Sequence, residues 1–127
     1  MKKFFATGFF LFVALMATQA QYEVGDVARD FTLKNVDGEM ISLYDYDAAR
    51  NGAIVIFTCN HCPYAKAYEN RIIKLDKKFR SVGYPVLAIN PNDPELAPED
   101  SYEKMIERSK EKDFPFPYLF DNTQEVY

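Results

Sequence analysis

Ala53-Ile54-Val55-Ile56-Phe57-Thr58-Cys59-Asn60-His61-Cys62-Pro63-Tyr64 is the stretch on which the fold turns. Its first five residues are apolar without a break, and a run of that length and composition predicts a strand buried on both faces. Asn51-Gly52 marks the turn before it. Behind the cysteines, Ala65, Tyr68, Ile72, Leu75 and Phe79 recur at three- and four-residue steps, with Lys66, Glu69, Arg71, Lys74 and Lys77 mostly between them. That is the pattern of an amphipathic helix with a solvated charged face. Pro63 suits its first turn, where a missing N–H costs little, and Gly83 suits its end.

Working outward, Phe31, Leu33 and Met40-Ile41-Ser42-Leu43 carry β-type patterning around Asp37-Gly38, a hairpin signal. Pro85-Val86-Leu87-Ala88-Ile89 reads as a second buried strand, and Asn90-Pro91-Asn92-Asp93-Pro94 as a connecting loop. A second helix is predicted from about Pro98 to Lys112, with Glu99 and Asp100 favouring its N-terminus and Tyr102, Met105, Ile106 and Ser109 on one face. Pro117-Tyr118-Leu119-Phe120 reads as a short strand, placed at an edge because of its prolines, and Asp121-Asn122 as the cap of a further helix. A hairpin followed by strand–helix–strand–helix–strand predicts an α/β fold: parallel neighbours joined by right-handed crossovers, with helices on the faces of the sheet. The abundant Tyr and Phe fall mostly at core positions of these elements and read as packing.

A dithiol between a buried strand and a helix N-terminus is a site for chemistry. The unpaired N–H groups and the positive end of the helix dipole favour a thiolate there. Cys59, expected to be the more exposed, would attack a substrate disulfide, and Cys62, one turn later, would resolve the mixed disulfide. His61 stands between them and would donate a hydrogen bond or a charge to the thiolate, making the pair more oxidising. The chain has only two cysteines, and a bridge across two intervening residues closes almost no loop, so a Cys59–Cys62 disulfide is expected to be redox-active rather than structural. The exchange requires no cofactor.

Residues 1–20 have the layout of a secretory signal. Lys2 and Lys3 precede an apolar run, Phe4–Ala17, and Thr18-Gln19-Ala20 offers small residues for cleavage after Ala20. That run is about 14 residues, short of the roughly 20 that span a bilayer, so no stable membrane insertion is expected once it is cleaved. The mature part, residues 21–127, is one small domain, and export implies an extracytoplasmic, periplasmic location. With two of the 15 basic residues in the leader, 13 remain against 19 acids, a formal charge of −6. They form no basic stripe, which argues against nucleic acid as a partner.

The residues from Val24 to Leu33, then Asp37-Gly38-Glu39 and Ser42-Leu43, resemble the opening of the redoxin group of the thioredoxin superfamily. That group includes the alkyl hydroperoxide reductase/thiol-specific antioxidant (AhpC/TSA) proteins and the TlpA- and ResA-like thiol–disulfide oxidoreductases. Ile56–Tyr64 is similar to the active-site turn of peroxiredoxin-like members that carry a C-x-x-C. The likeness continues through Ala88–Asp93 to Phe116–Asp121. It implies a thioredoxin-like fold, a central mixed sheet with flanking helices. It also implies Cys59 as nucleophile, Cys62 as resolving cysteine, and protein thiols or disulfides, a small thiol or peroxide, and a redox partner protein as the molecules met.

Departures from the family pattern qualify the function. Peroxiredoxins carry a proline seven residues and a threonine or serine three residues before the peroxidatic cysteine, where this chain has Gly52 and Ile56. Thiol peroxidase is therefore the second reading. Thioredoxin's buried acid six residues before the first cysteine is replaced by Ala53, so another group or water must accept the proton. The family fold also continues with a cis-proline strand, its antiparallel partner and a last helix. None of these is in the sequence, so residues 21–127 are expected to be the N-terminal two-thirds of the domain, with Ala53–Phe57 as an apolar edge. An inactive truncated member is a further alternative. A metal carrier using Cys59, His61 and Cys62 is disfavoured by the cramped spacing of its ligands, and no metal is expected.

Overall fold

The computed structural model describes residues 22–126. The expected signal at residues 1–20 and its cleavage point lie outside the described residues. The hairpin signal is realised as β1 (Thr32–Asn35) and β2 (Met40–Ser42), antiparallel, with Gly38 at φ +94° in the turn. β3 (Ile54–Phe57) then leads into α1 (Pro63–Phe79), which tightens into a 3₁₀ turn over Arg80–Val82 and stops at Gly83, φ +84°. β4 (Val86–Asn90), a 3₁₀ turn at Pro98–Asp100, α2 (Tyr102–Lys112) and β5 (Tyr118–Phe120) complete the order.

The five strands form one mixed sheet, β2-β1-β5-β4-β3. β3, β4 and β5 run parallel, while β1 meets β5 antiparallel. β4 is buried along its whole length, and its period-two alternation divides the core. Val86 and Ala88 face Ile72 of α1, Met105 of α2, Phe116 and Tyr118. Leu87 and Ile89 face Leu119 and, around them, Phe31, Leu33, Ile41 and Leu43. Among the described residues both α-helices thus pack on one face, not one on each. Two consecutive right-handed crossovers moving in one direction across a sheet place their helices on the same side.

Three expectations about the elements change. β5 is central, not at an edge: its prolines precede the paired residues, and the Pro117 carbonyl accepts from the Ala88 N–H at 3.0 Å. β3 stands at the sheet edge, as expected, but is shielded on one face only instead of both, with Val55 and Phe57 37% and 43% exposed. The second helix begins at Tyr102 rather than Pro98, capped by the Ser101 hydroxyl, which accepts from the Lys104 N–H. The Pro98–Asp100 turn ahead of it points Asp100 inward. Asp121 accepts from the N–H groups of Glu125 and Val126, as a capping carboxylate does, without a helix following among the described residues.

The charged face of α1 is not wholly solvated. Glu69 and Asp76 are buried and alternate with Ile72 on the inward side. Glu69 takes a two-pronged hydrogen bond from Arg108 of α2, both contacts 2.7 Å, which ties the helices together beside the dithiol turn. Asp76 accepts from Arg80 and from the Val86 N–H at 2.9 Å, fixing the far end of α1 to β4. Asp76→Ala would strand a buried N–H and unpair Arg80. It should lower unfolding free energy by about 3 kcal/mol, read as a shift in the urea midpoint.

Candidate functional site

The helix start dictates the geometry of the dithiol. Pro63 is the first residue of α1, as its fixed φ and missing N–H favour, and this makes Cys62 the N-cap residue, with extended backbone. Cys62 makes no capping hydrogen bond of normal length, but the N–H groups of Ala65 and Tyr64 face its sulfur and hold its thiol below the ordinary range. Cys59 sits on the turn after β3. Burial pushes its thiol up, and the nearby Asp100 carboxylate adds to the rise against a lowering N–H from Cys62. The interaction between the two sulfurs raises the Cys59 thiol and lowers that of Cys62, so negative charge in the pair is favoured on Cys62. Both cysteines are half-buried, and the helix N–H groups reach the second of the pair.

His61 does not turn toward the sulfurs as its closest contact. Its Nδ1 lies 2.6 Å from Oδ2 of Asp100. Asp100 is 0% exposed and collects the whole turn: Oδ1 accepts from the backbone N–H of Asn60 at 2.7 Å and of His61 at 3.2 Å. Asn92 donates to Oδ2 at 2.6 Å, and Asn90 to the Asp100 carbonyl at 2.9 Å. Asn60, also buried, donates to the Glu99 carbonyl and accepts from the Tyr118 hydroxyl at 2.8 Å. That phenol is pushed far above its usual range, by burial first and then by the charges of Asp100 and Cys59, so it stays a donor.

The structure therefore brings Cys59, His61, Cys62 and Pro63 together and adds Asp100, Asn60, Asn92 and Tyr118. Asp100 had looked like an ordinary acid at a helix start, Asn92 like loop and Tyr118 like packing. Nothing in local spacing links residue 60 to residue 100. The only trace was the missing acid at Ala53, which left the proton acceptor to water or another group. Cys59 Sγ, a His61 nitrogen and an Asp100 oxygen lie within 4.8 Å of one another. As a metal set they are poorly suited, because both carboxylate oxygens already accept two N–H bonds each.

A groove of about 760 Å³ opens beside the sulfurs between β3 and α1, lined by Ile56, Tyr64, Tyr68 and Leu75. The apolar stripe of α1 thus serves the groove as much as the core: Ile72 is buried, but Tyr68 is 54% exposed. Tyr64 and Tyr68 are not core packing. Among the described residues no helix is long and apolar enough to cross a membrane.

Single-cysteine variants test the electrostatic order. With iodoacetamide, Cys59→Ser, which leaves Cys62, should reach half-maximal alkylation at a lower pH than Cys62→Ser, since the thiolate with the lower pKa persists further into acid. The reverse order would contradict it.

Known proteins resemble this chain in sequence and in fold. Thiol-disulfide oxidoreductase ResA of Halalkalibacterium halodurans is 26% identical over 121 residues, 95% of this chain and 64% of that protein. The crystal structure of an uncharacterized conserved protein from Geobacillus kaustophilus superposes with a TM-score of 0.76 at 39% identity, covering 84% of this chain and 56% of the other. A thiol:disulfide interchange protein of the thioredoxin family from Chlorobium tepidum TLS has a TM-score of 0.60 at 19% identity, over 73% of this chain and 58% of its own, a likeness of fold. The chain thus spans less than two-thirds of the length of these relatives. Residues 24–127 match the AhpC/TSA family, and the chain belongs to it.

Proposed function

We propose that this protein is an exported thiol–disulfide oxidoreductase whose dithiol is Cys59-Asn60-His61-Cys62. The observation that carries the reading is the unequal pair itself: two free cysteines at a helix N-terminus, Cys62 held below the ordinary thiol range by the Ala65 and Tyr64 N–H groups and Cys59 pushed above it by burial, beside an open groove. Export rests on residues 1–20, with Lys2-Lys3, the apolar run and the small residues before Gln21.

The inequality supports the roles of the two sulfurs. In a Cys59–Cys62 disulfide, an incoming thiolate attacks the sulfur whose partner leaves more easily. Cys62 is the better leaving group because the N–H groups of Ala65 and Tyr64 receive its charge. The substrate thiolate therefore bonds to Cys59 and Cys62 departs as thiolate. A second substrate thiolate attacks the substrate sulfur of the mixed disulfide, forms the substrate disulfide and frees Cys59, which takes up a proton. In the opposite direction Cys59 attacks a substrate disulfide and Cys62 displaces the reduced product. Its higher pKa makes Cys59 the stronger nucleophile once ionised. Substrates of this class are protein thiols and disulfides or a small thiol, with a redox partner protein restoring the pair.

The test is trapping combined with competition between substrates. Cys62→Ser should accumulate a mixed disulfide through Cys59, and Cys59→Ser should not. Reduction of insulin should depend on both cysteines and exceed turnover of hydrogen peroxide. Faster reaction with peroxide than with insulin would replace this reading by a thiol peroxidase.

A further inference from the structure

Asp100 lies on the wrong side of simple electrostatics. A buried carboxylate next to a thiol opposes the thiolate, and here it raises the Cys59 thiol. Yet its two oxygens hold the turn by three N–H contacts, one of them from the His61 ring at 2.6 Å, and take a fourth from Asn92 after β4. A carboxylate that accepts from Nδ1 requires the proton on Nδ1, so neutral His61 keeps its other nitrogen as an acceptor. Half of the His61 side chain is exposed, leaving that nitrogen room to receive a proton.

We propose, resting on the oxidoreductase reading, that Asp100 is a positioning residue that holds His61 as the acid–base partner of Cys59. When Cys59 attacks, its S–H proton passes to the free imidazole nitrogen. The Cys59 sulfur forms the new S–S bond, and the substrate's S–S bond breaks to release a thiolate. The imidazolium sits against the Asp100 carboxylate, so the charge that opposed the thiolate is neutralised in the same step. When Cys59 is later released from a mixed disulfide, the proton returns. A ring nitrogen of His61 lies within 4.8 Å of the Cys59 sulfur, which puts the imidazole within reach of that sulfur through one water. The carboxylate comes from the β4–α2 connection, not from the strand ahead of the first cysteine.

Other charges around His61 do not supply this function. The polar hollow on its far side is lined by Lys66 of α1, Glu99, and Lys104, Glu107, Arg108 and Glu111 of α2, three cations and three anions. Lys104 pairs with Glu107, and Arg108 with Glu111 and with Glu69 of α1. Tyr118 of β5 donates to Asn60 and stays protonated. Asp100 is the buried charge in contact with the ring.

The experiment uses the full chain with Cys62→Ser, so that Cys59 is the reporting thiol, and compares Asp100→Asn, His61→Ala, both together and neither. Circular dichroism confirms folding. Two quantities are followed against pH: alkylation of Cys59, and its exchange with a small disulfide such as hydroxyethyl disulfide. Asp100→Asn should move Cys59 ionisation to lower pH while slowing exchange at neutral pH by roughly a hundredfold. His61→Ala should slow exchange similarly, and added imidazole should restore it only where Asp100 is intact. A residue that merely braced the turn would not yield rescue by imidazole. If Asp100→Asn does not fold, the His61→Ala rescue decides, since that variant keeps the backbone contacts to Asp100. Unchanged profiles in a folded Asp100→Asn, or no rescue of His61→Ala, overturn the proposal. Loss of native insulin reduction with these shifts intact would count against the oxidoreductase reading alone.

Discussion

The Asp100 carboxylate is the constraint on which the site depends. The turn between β3 and α1 has backbone N–H groups at Asn60 and His61 that no strand or helix satisfies, and burial makes an unsatisfied N–H expensive. One carboxylate from 40 residues away accepts both, at 2.7 and 3.2 Å. The rest of the network follows from that point. Asn60 is held between the Glu99 carbonyl and the Tyr118 hydroxyl, Tyr118 donates its N–H to the Asn35 side chain, and the Tyr102 hydroxyl closes on the Asn35 carbonyl. Strands β1 and β5, helix α2 and the dithiol turn are thereby joined by polar contacts through the interior. Among the described residues no fully buried side-chain nitrogen or oxygen lacks a partner. A complete network of this kind fixes one arrangement, where an incomplete one would destabilise the core.

Local rules made the elements legible. Asp37-Gly38 produced the hairpin, Ile54–Phe57 the strand before the dithiol, the 3.6-residue period α1, and Pro63 its first residue, because each depends on neighbours within a few positions. What stayed hidden depends on residues far apart. Glu69 and Asp76 have the spacing of solvated charges, and only the positions of Arg108 and Val86 show why they are buried. Pro117 suggested an edge strand, but a proline one residue before the pairing leaves the ladder intact, so composition could not decide the strand order. At the site, the cysteines and His61 were visible as a motif. Asp100 and Asn92 were not, since the chemistry of a carboxylate or amide is set by what the fold places against it.

The same distinction explains the inverted electrostatics of the dithiol. A helix N-terminus stabilises charge only where its free N–H groups point, and with Pro63 opening α1 those of Tyr64 and Ala65 point at the N-cap side chain. Cys59 is a full turn of chain earlier, under the influence of burial and Asp100 instead. A pair polarised in this way suits exchange better than two equal thiols. The anion that leaves is stabilised at Cys62, while Cys59 keeps the high proton affinity that makes its thiolate strongly nucleophilic.

Polarisation alone would leave Cys59 protonated at neutral pH, and a carboxylate placed beside it would deepen that state. The arrangement makes chemical sense only if proton and charge move together. Ionising Cys59 next to a bare carboxylate creates two adjacent anions in a partly desolvated turn, which is the unfavourable case for a buried group. Transferring its proton to an imidazole held against that carboxylate creates instead a thiolate, an imidazolium and a carboxylate in contact, whose net charge is unchanged by the step. Burial then opposes the reaction less, because the new charges form as a pair and the net charge of the site is unchanged. Asp100 thereby has two requirements placed on it, satisfying the backbone of the turn and balancing the imidazolium. Both require an ionised carboxylate at the same position.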